Sequence, residues 1–240
     1  MSLKPLILAF DTSHRKGGVA VSRGEELICE IPFDAAETHS ATLMPSIDTA
    51  LKSAKTRIDE IDLFAVTIGP GSFTGLRIGL ATVKAFAAIR RRPIVPVTSL
   101  EVLAAAFPLA EYGVLSLIDA HKGEVYGALY STKQGLPEEL VAPFSSKPDA
   151  IAEVIGGRGP FIICGTGFER YGDVLSPLLA DGGMAVEAKW SVPSASLLAR
   201  IALECEPVPY KNLFPIEPLY IRPPDAKLPV QAKLCEGGGG

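Results

Sequence analysis

The sequence holds little of what usually does chemistry. Among 240 residues there are four cysteines, three histidines and one tryptophan. Cys29, Cys164, Cys205 and Cys235 are scattered, with no Cys-x-x-Cys pair. With no secretory signal in the sequence either, a reduced, cytoplasmic protein is expected. His14, His39 and His121 lie far apart and form no helical ligand pair, so neither a metal nor another cofactor is expected. No uninterrupted apolar run reaches transmembrane length, which speaks against a membrane role. Basic excess is missing too: a net charge of −4 and a pI near 5.5 argue against a protein that grips nucleic acid alone.

What is present centres on one stretch, Gly69-Pro70-Gly71-Ser72-Phe73-Thr74-Gly75-Leu76-Arg77-Ile78-Gly79. An apolar run of strand length, Leu63 to Ile68, precedes it. After it, Phe73, Leu76, Leu80, Val83 and Phe86 recur at helical spacing until Pro93. A strand, a glycine-rich turn and a helix N-terminus present free N–H groups, an arrangement that suits an anion. The named phosphate motifs do not fit, however. No Gly-Lys-Ser/Thr follows, and Gly69, Gly71 and Gly75 miss the dinucleotide spacing by one residue. Ser72 resembles a hydrolase elbow only superficially, since Gly-x-Ser-x-Gly is absent, and it reads as an N-cap. Gly75 and Gly79 stand one turn apart inside the helix, each costing about 1 kcal/mol relative to Ala. Close approach of another backbone to that face would offset this cost. That backbone could belong to the chain's own sheet or to a partner helix, and spacing alone does not choose.

With 48% hydrophobic and 21% charged residues the chain reads as an ordinary globular protein, long enough for one or two domains. Leu6 to Phe10 is a continuous apolar run, as in a buried strand, and ends at Asp11-Thr12-Ser13. Val19 to Val21 and Leu27 to Cys29 continue a meander. A helix opening at Glu37-Thr38-His39-Ser40 carries Leu43, Ile47, Ala50, Leu51 and Ala54, with Pro45 tolerable only near its first turn. A strand over residues 94–97 and a helix from Ser99 to before Pro108 follow. Then the pattern restarts. Val114 to Ile118 ends in Asp119, a turn passes Gly123 to a strand at 125–130, and Phe161 to Cys164 runs into Gly165-Thr166-Gly167 and an amphipathic stretch. Ser194 to Glu204 reads as a final helix. Two copies of a strand–strand–strand–helix–strand–helix unit are expected. The expected domains are an N-terminal subdomain over 4–107, a C-terminal one over 108–206, a Pro-rich extension over 207–236 and an added tail over 237–240. Strands that end in Asp before a hairpin, in duplicate, are the pattern of an α/β, duplicated actin/Hsp70-like (ribonuclease H-like) fold with two mixed-sheet subdomains. By itself that analogy says little of activity.

Several segments together resemble one family: Phe10-Asp11-Thr12-Ser13, His39-Ser40 with Leu43 and Pro45, Gly69 to Gly79, Thr98-Ser99-Leu100-Glu101, Asp119-Ala120 with Gly123-Glu124-Val125-Tyr126, and Tyr220-Ile221-Arg222. They resemble TsaB, the family of subunits in the bacterial machinery that makes threonylcarbamoyladenosine in tRNA. The resemblance spans about Leu6 to Arg222. It implies a non-catalytic scaffold that binds the paralogous transferase TsaD, with the ATPase TsaE completing the assembly, a homodimer when alone, and tRNA met only through the complex. It also implies a partner interface on two helices, with His39, Leu43, Ile47, Ser72, Phe73, Thr74, Gly75, Arg77, Ile78 and Gly79, and so favours a partner for the glycine face.

Departures from the catalytic paralogue matter as much. Where the transferase has two metal-binding histidines four apart, this chain has Ser99 and Leu103, which cannot replace two imidazoles. Asp11, Thr12, Ser13 and Asp119 keep the form of nucleotide hairpins. Bulky His14-Arg15-Lys16 and His121-Lys122 follow them, so the two aspartates are expected to serve as turn-forming carboxylates. Arg90-Arg91-Arg92 could touch tRNA phosphate but is expected to stabilise a helix C-terminus. Glu37 with His39 could pair as acid and base, but a polar helix entry is preferred. The rival functions are a glycoprotease-type metallopeptidase and an actin-fold ATP-binding enzyme.

Overall fold

The computed structural model describes residues 4–35, 38–157, 159–179, 183–186 and 192–221. Glu37, Arg222, Cys235 and the tail over 237–240 lie outside these described residues. The first half holds strands β1 (Leu6–Asp11), β2 (Lys16–Arg23), β3 (Glu26–Asp34), β4 (Leu63–Thr67) and β5 (Ile94–Val97). They pair in the order β3-β2-β1-β4-β5, with the β3-β2-β1 meander antiparallel and β1-β4-β5 parallel. The second half repeats this with β6 (Gly113–Asp119), β7 (Val125–Ser131), β8 (Glu138–Ser146), β9 (Phe161–Cys164) and β10 (Met184–Ala185), in the order β8-β7-β6-β9-β10. Again the meander is antiparallel and the rest parallel. This is the duplicated, mixed-sheet actin-like α/β fold.

Strand β1 is apolar throughout because both of its faces are covered, as expected for a central strand. Leu6, Leu8 and Phe10 meet Leu43, Ile47 and Ala50 of helix α1 (His39–Ser53) and Leu80, Val83 and Ala87 of helix α2 (Phe73–Arg90). Ile7 and Ala9 face the other way, onto Leu198, Ala199 and Ile201 of a late helix, α6 (Ala195–Ala202). This last helix follows the second sheet in the chain but is buried on the first, although its sequence position groups it with the C-terminal half. Ser194 caps it, and its apolar stripe completes the second face of a sheet that α1 and α2 cover only on one side.

Helix α3 (Ser99–Ala104) is the wedge between the halves. Val102 packs into the core of the first sheet, while Leu100, Leu103 and Ala104 pack against Val114 and Ile118 of β6. The outer face of the second sheet is covered by α4 (Ile151–Val154) and α5 (Thr166–Leu175).

One local expectation needs correction. Pro45 sits well inside α1, at its seventh residue, and not near the first turn. The helix tolerates the missing N–H because Thr38 caps its start and Leu43, Ile47 and Ala50 are buried on either side of the proline. Strand β8, with Glu138, Glu139 and Pro143, has no clear strand pattern in the sequence. It forms at a sheet margin beside β7, where the missing proline donor costs little.

Candidate functional site

The end of β1 and the start of α2 form one hydrogen-bonded block. Asp11, Thr12 and Ser13 are fully buried. Asp11 Oδ1 accepts from the Ser13 N–H at 3.0 Å and from the Thr67 hydroxyl at 2.5 Å. The Ser13 carbonyl accepts from the Ser72 N–H at 2.6 Å, and the Thr12 hydroxyl donates to the Gly75 carbonyl at 2.8 Å. Ser72 caps α2 by accepting from the Gly75 N–H at 3.2 Å. His39, at the start of α1, donates from Nε2 to the His14 carbonyl at 2.9 Å and is itself buried. It therefore tethers the hairpin instead of acting as half of an acid–base pair.

This geometry decides where the glycine face points. A Cβ on Gly75 would collide with the Thr12 carbonyl and come within 3.0 Å of the His39 ring; one on Gly79 would collide with Thr12 Oγ1. Gly71 stands in the same relation to the Ser13 carbonyl. The close approach is thus internal, to the end of the chain's own β1, and the expectation that Gly75 and Gly79 meet a partner is corrected. Leu43 and Ile47 are likewise buried in the first-sheet core, at 1% and 2% exposure, since they are what holds α1 to the sheet. Of the residues assigned to an interface, Phe73, Thr74 and Arg77 are exposed, and Ser72 and Ile78 are half-buried. Met44, which the sequence reading passed over, is exposed on the outer side of α1.

Arg77 lies over the Phe73 ring, 3.7 Å from its centroid, and donates from Nε to the Tyr220 hydroxyl at 3.2 Å. The rings of Phe73 and Tyr220 are 5.5 Å apart. Tyr220 comes from the C-terminal segment, and no local pattern in the sequence could have joined it to α2.

The crowding of the first hairpin also differs from expectation. Arg15 turns outward and pairs with Asp34 at 2.7 Å, and Lys16 is exposed at the start of β2. It is His14 that turns inward, its Nδ1 hydrogen-bonded to Ser13 Oγ at 2.8 Å. Burial pushes the His14 pKa below the ordinary imidazole value, with the charges of Asp11 and Glu169 opposing in part. In the second half, Asp119 accepts from the His121 N–H at 2.9 Å and from the Tyr171 hydroxyl at 3.3 Å, with Arg170 3.4 Å away. Both aspartates bond the N–H two residues on, as turn-forming carboxylates do. Arg91 ends α2 in a left-handed conformation, and Arg92 lies 3.6 Å from Asp62, just before β4.

On α3, Ser99 is fully buried and Leu103 is 1% exposed. A Cβ on Gly165 would stand 3.3 Å from Leu103 Cδ1, so the leucine fills the space at the head of α5. Among the described residues no group of three His, Cys, Asp or Glu side chains is placed to hold a metal ion. No described helix is long and apolar enough to cross a membrane.

Known proteins were compared with this chain. It is 30% identical over 210 residues to the tRNA threonylcarbamoyladenosine biosynthesis protein TsaB of Bacillus subtilis, covering 87% of this chain and 92% of that protein. The chain belongs to the TsaB family. The crystal structure of YeaZ from Pseudomonas aeruginosa superposes with a TM-score of 0.76 at 25% identity, over 90% of this chain and 99% of YeaZ. The family model described as TsaD, tRNA N6-adenosine threonylcarbamoyltransferase, matches residues 30–160. A tRNA N6-adenosine threonylcarbamoyltransferase from Chelativorans sp. is 44% identical over 71 residues, 30% of this chain and 20% of that enzyme. This member of the TsaB family therefore shares part of its sequence with the transferase.

Proposed function

We propose that this chain is a non-catalytic cytoplasmic subunit of the system that forms threonylcarbamoyladenosine in tRNA. It binds the TsaD paralogue and holds it in a productive form, helps build the site for the TsaE ATPase, and meets tRNA only through that assembly. Alone it forms a homodimer. One observation carries the non-catalytic reading. The two positions at which the resemblance would put metal ligands, Ser99 and Leu103, are core residues that wedge the halves together. A hydroxyl and an aliphatic chain cannot act as a transition-metal pair, and Leu103 leaves no room for one beside Gly165.

The partner face of this reading is the outer side of the α1–α2 layer. Met44 and Phe73, at 49% and 43% exposure, stand there with Thr74, Arg77 and half-buried Ile78. The inner side, with the glycines, Leu43 and Ile47, keeps those two helices in place. Met44→Arg combined with Thr74→Arg places charge on the outer face without touching the core. The double variant is expected to melt as the wild type does, yet to lose co-purification with TsaD and the ability to restore tRNA modification in a deletion strain. Unchanged co-purification would overturn the assigned face. Stoichiometric metal after dialysis together with chelator-sensitive peptidase activity would overturn the non-catalytic reading.

A further inference from the structure

Away from the α1–α2 face, a cavity of about 730 Å³ opens on the other side of the first sheet. Pro32 and Phe33 of β3, Ala106 beyond α3, and Pro193, Ala195 and Leu197 at the start of α6 supply most of its wall. That size, with mainly apolar walls and a few polar groups, is the ordinary make-up of a small-molecule site.

Four charged residues line it: Lys16, Glu30, Asp34 and Arg200. The two acids are already engaged. Glu30 Oε1 accepts from the Ser194 hydroxyl at 2.9 Å and from the Ser196 N–H at 3.1 Å, at the α6 N-terminus. Asp34 is held by Arg15 through a two-pronged contact at 2.7 and 3.2 Å. The two cations, by contrast, form no ion pair among the described residues, and both are exposed. In a chain of net charge −4, the approach to this apolar cavity thus carries two cations with no ion pair among the described residues. Lys16 stands across from Asp34, which Arg15 already holds.

We propose that the cavity binds a small organic anion with an apolar body, its carboxylate- or sulfonate-like head drawn to Lys16 and Arg200 and its ring or chain lying against Phe33 and Leu197. A neutral ligand would leave both cations unused. A cationic one would meet like charge at Lys16 and Arg200.

The test titrates the full chain with 1-anilinonaphthalene-8-sulfonate, followed by fluorescence and by calorimetry, and compares two variants whose melting is checked in parallel. Ala106→Trp fills the cavity from a half-exposed position, and Lys16→Glu with Arg200→Glu reverses the rim charge on two exposed side chains. The wild type is expected to bind one dye per chain saturably. Ala106→Trp is expected to abolish this, and the charge-reversed chain to weaken it about tenfold or more. Neutral 1-anilinonaphthalene should bind the wild type and the charge-reversed chain alike. No saturable binding to the wild type, or equal binding by Ala106→Trp, would remove the site. Equal sulfonate binding by the charge-reversed chain would overturn its preference for anions.

Discussion

The two halves of the molecule attach a helix to the end of their central strand by the same device and equally closely. A Cβ on Gly75 would meet the Thr12 carbonyl as one on Gly165 would meet the Leu117 carbonyl, but the halves bury and tie the strand end differently. In the first half, Gly71, Gly75 and Gly79 let α2 lie on the Thr12 and Ser13 backbone, and the strand end is fully buried. In the second, Gly165 and Gly167 let α5 lie on Leu117 and Ile118, with a Cβ on Gly167 only 2.9 Å from the Leu117 Cβ. Even the hydroxyl tie recurs with its sense reversed. Thr12 on the strand donates to the helix at Gly75, whereas Thr166 on the helix accepts from the Asp119 N–H at 3.1 Å. The first copy adds His39 as a second tether and continues into an 18-residue helix. The second depends on Arg170 and Tyr171 around a carboxylate that is 13% exposed, and α5 departs from helical geometry at Tyr171. A surface that must present two helices in fixed relation is better built on the first copy. The difference teaches that the glycines of α2 serve its close seating on the chain's own strand end.

The largest test of this contrast is Gly79→Leu. Its side chain would be driven into the buried Thr12 side chain, whose hydroxyl is held by the Gly75 carbonyl, so a loss of about 3 kcal/mol is expected. Chemical denaturation should show this in the isolated chain, with no partner present. A variant that melts like the wild type would return Gly79 to an intermolecular role.

The two hydroxyl ties sharpen the comparison. Thr12→Val removes a buried hydrogen bond to the Gly75 carbonyl, which keeps its partner in the helix ladder, and should cost about 0.5–1.5 kcal/mol. Thr166→Val acts at a half-buried position where water can replace the bond, and should cost less than about 1 kcal/mol. Equal losses in urea titrations would mean that the two strand ends are tied equally firmly.

The smallest effect concerns pH. The folded-state pKa of His14 is lowered, so below the ordinary imidazole pKa of about 6.5 the unfolded chain takes up the proton first. The stability associated with neutral His14 is complete above that value and declines as pH falls towards the folded-state pKa. Melting temperatures between pH 8 and pH 5 should fall for the wild type, and less steeply for His14→Gln. Parallel curves would place the imidazole in water instead of buried in the hairpin.

Much of the local structure was legible because its causes are local. The all-apolar run of β1, the Ser72 cap, the aspartates that bond their own turn and the duplicated order of strands each follow from residues within a few positions of one another. The TsaB resemblance was likewise carried by short segments, above all Gly69 to Gly79. Less was legible at the candidate site. Leu43, Ile47 and the glycines looked like contact residues because helical periodicity identifies a special face without saying what lies opposite it.

By itself the sequence determined that α2 must have a backbone pressed close to it, since two interior glycines are otherwise a plain loss of helix stability. Only the tertiary structure decided which backbone that is, through contacts from residue 12 to residue 75 that no local pattern encodes. The same holds for α6 crossing back to the first sheet, for Arg15 turning to Asp34 and for Tyr220 reaching Arg77. In each case the local pattern specifies an unsatisfied group or an apolar stripe, and the partner is chosen by what packing brings within reach.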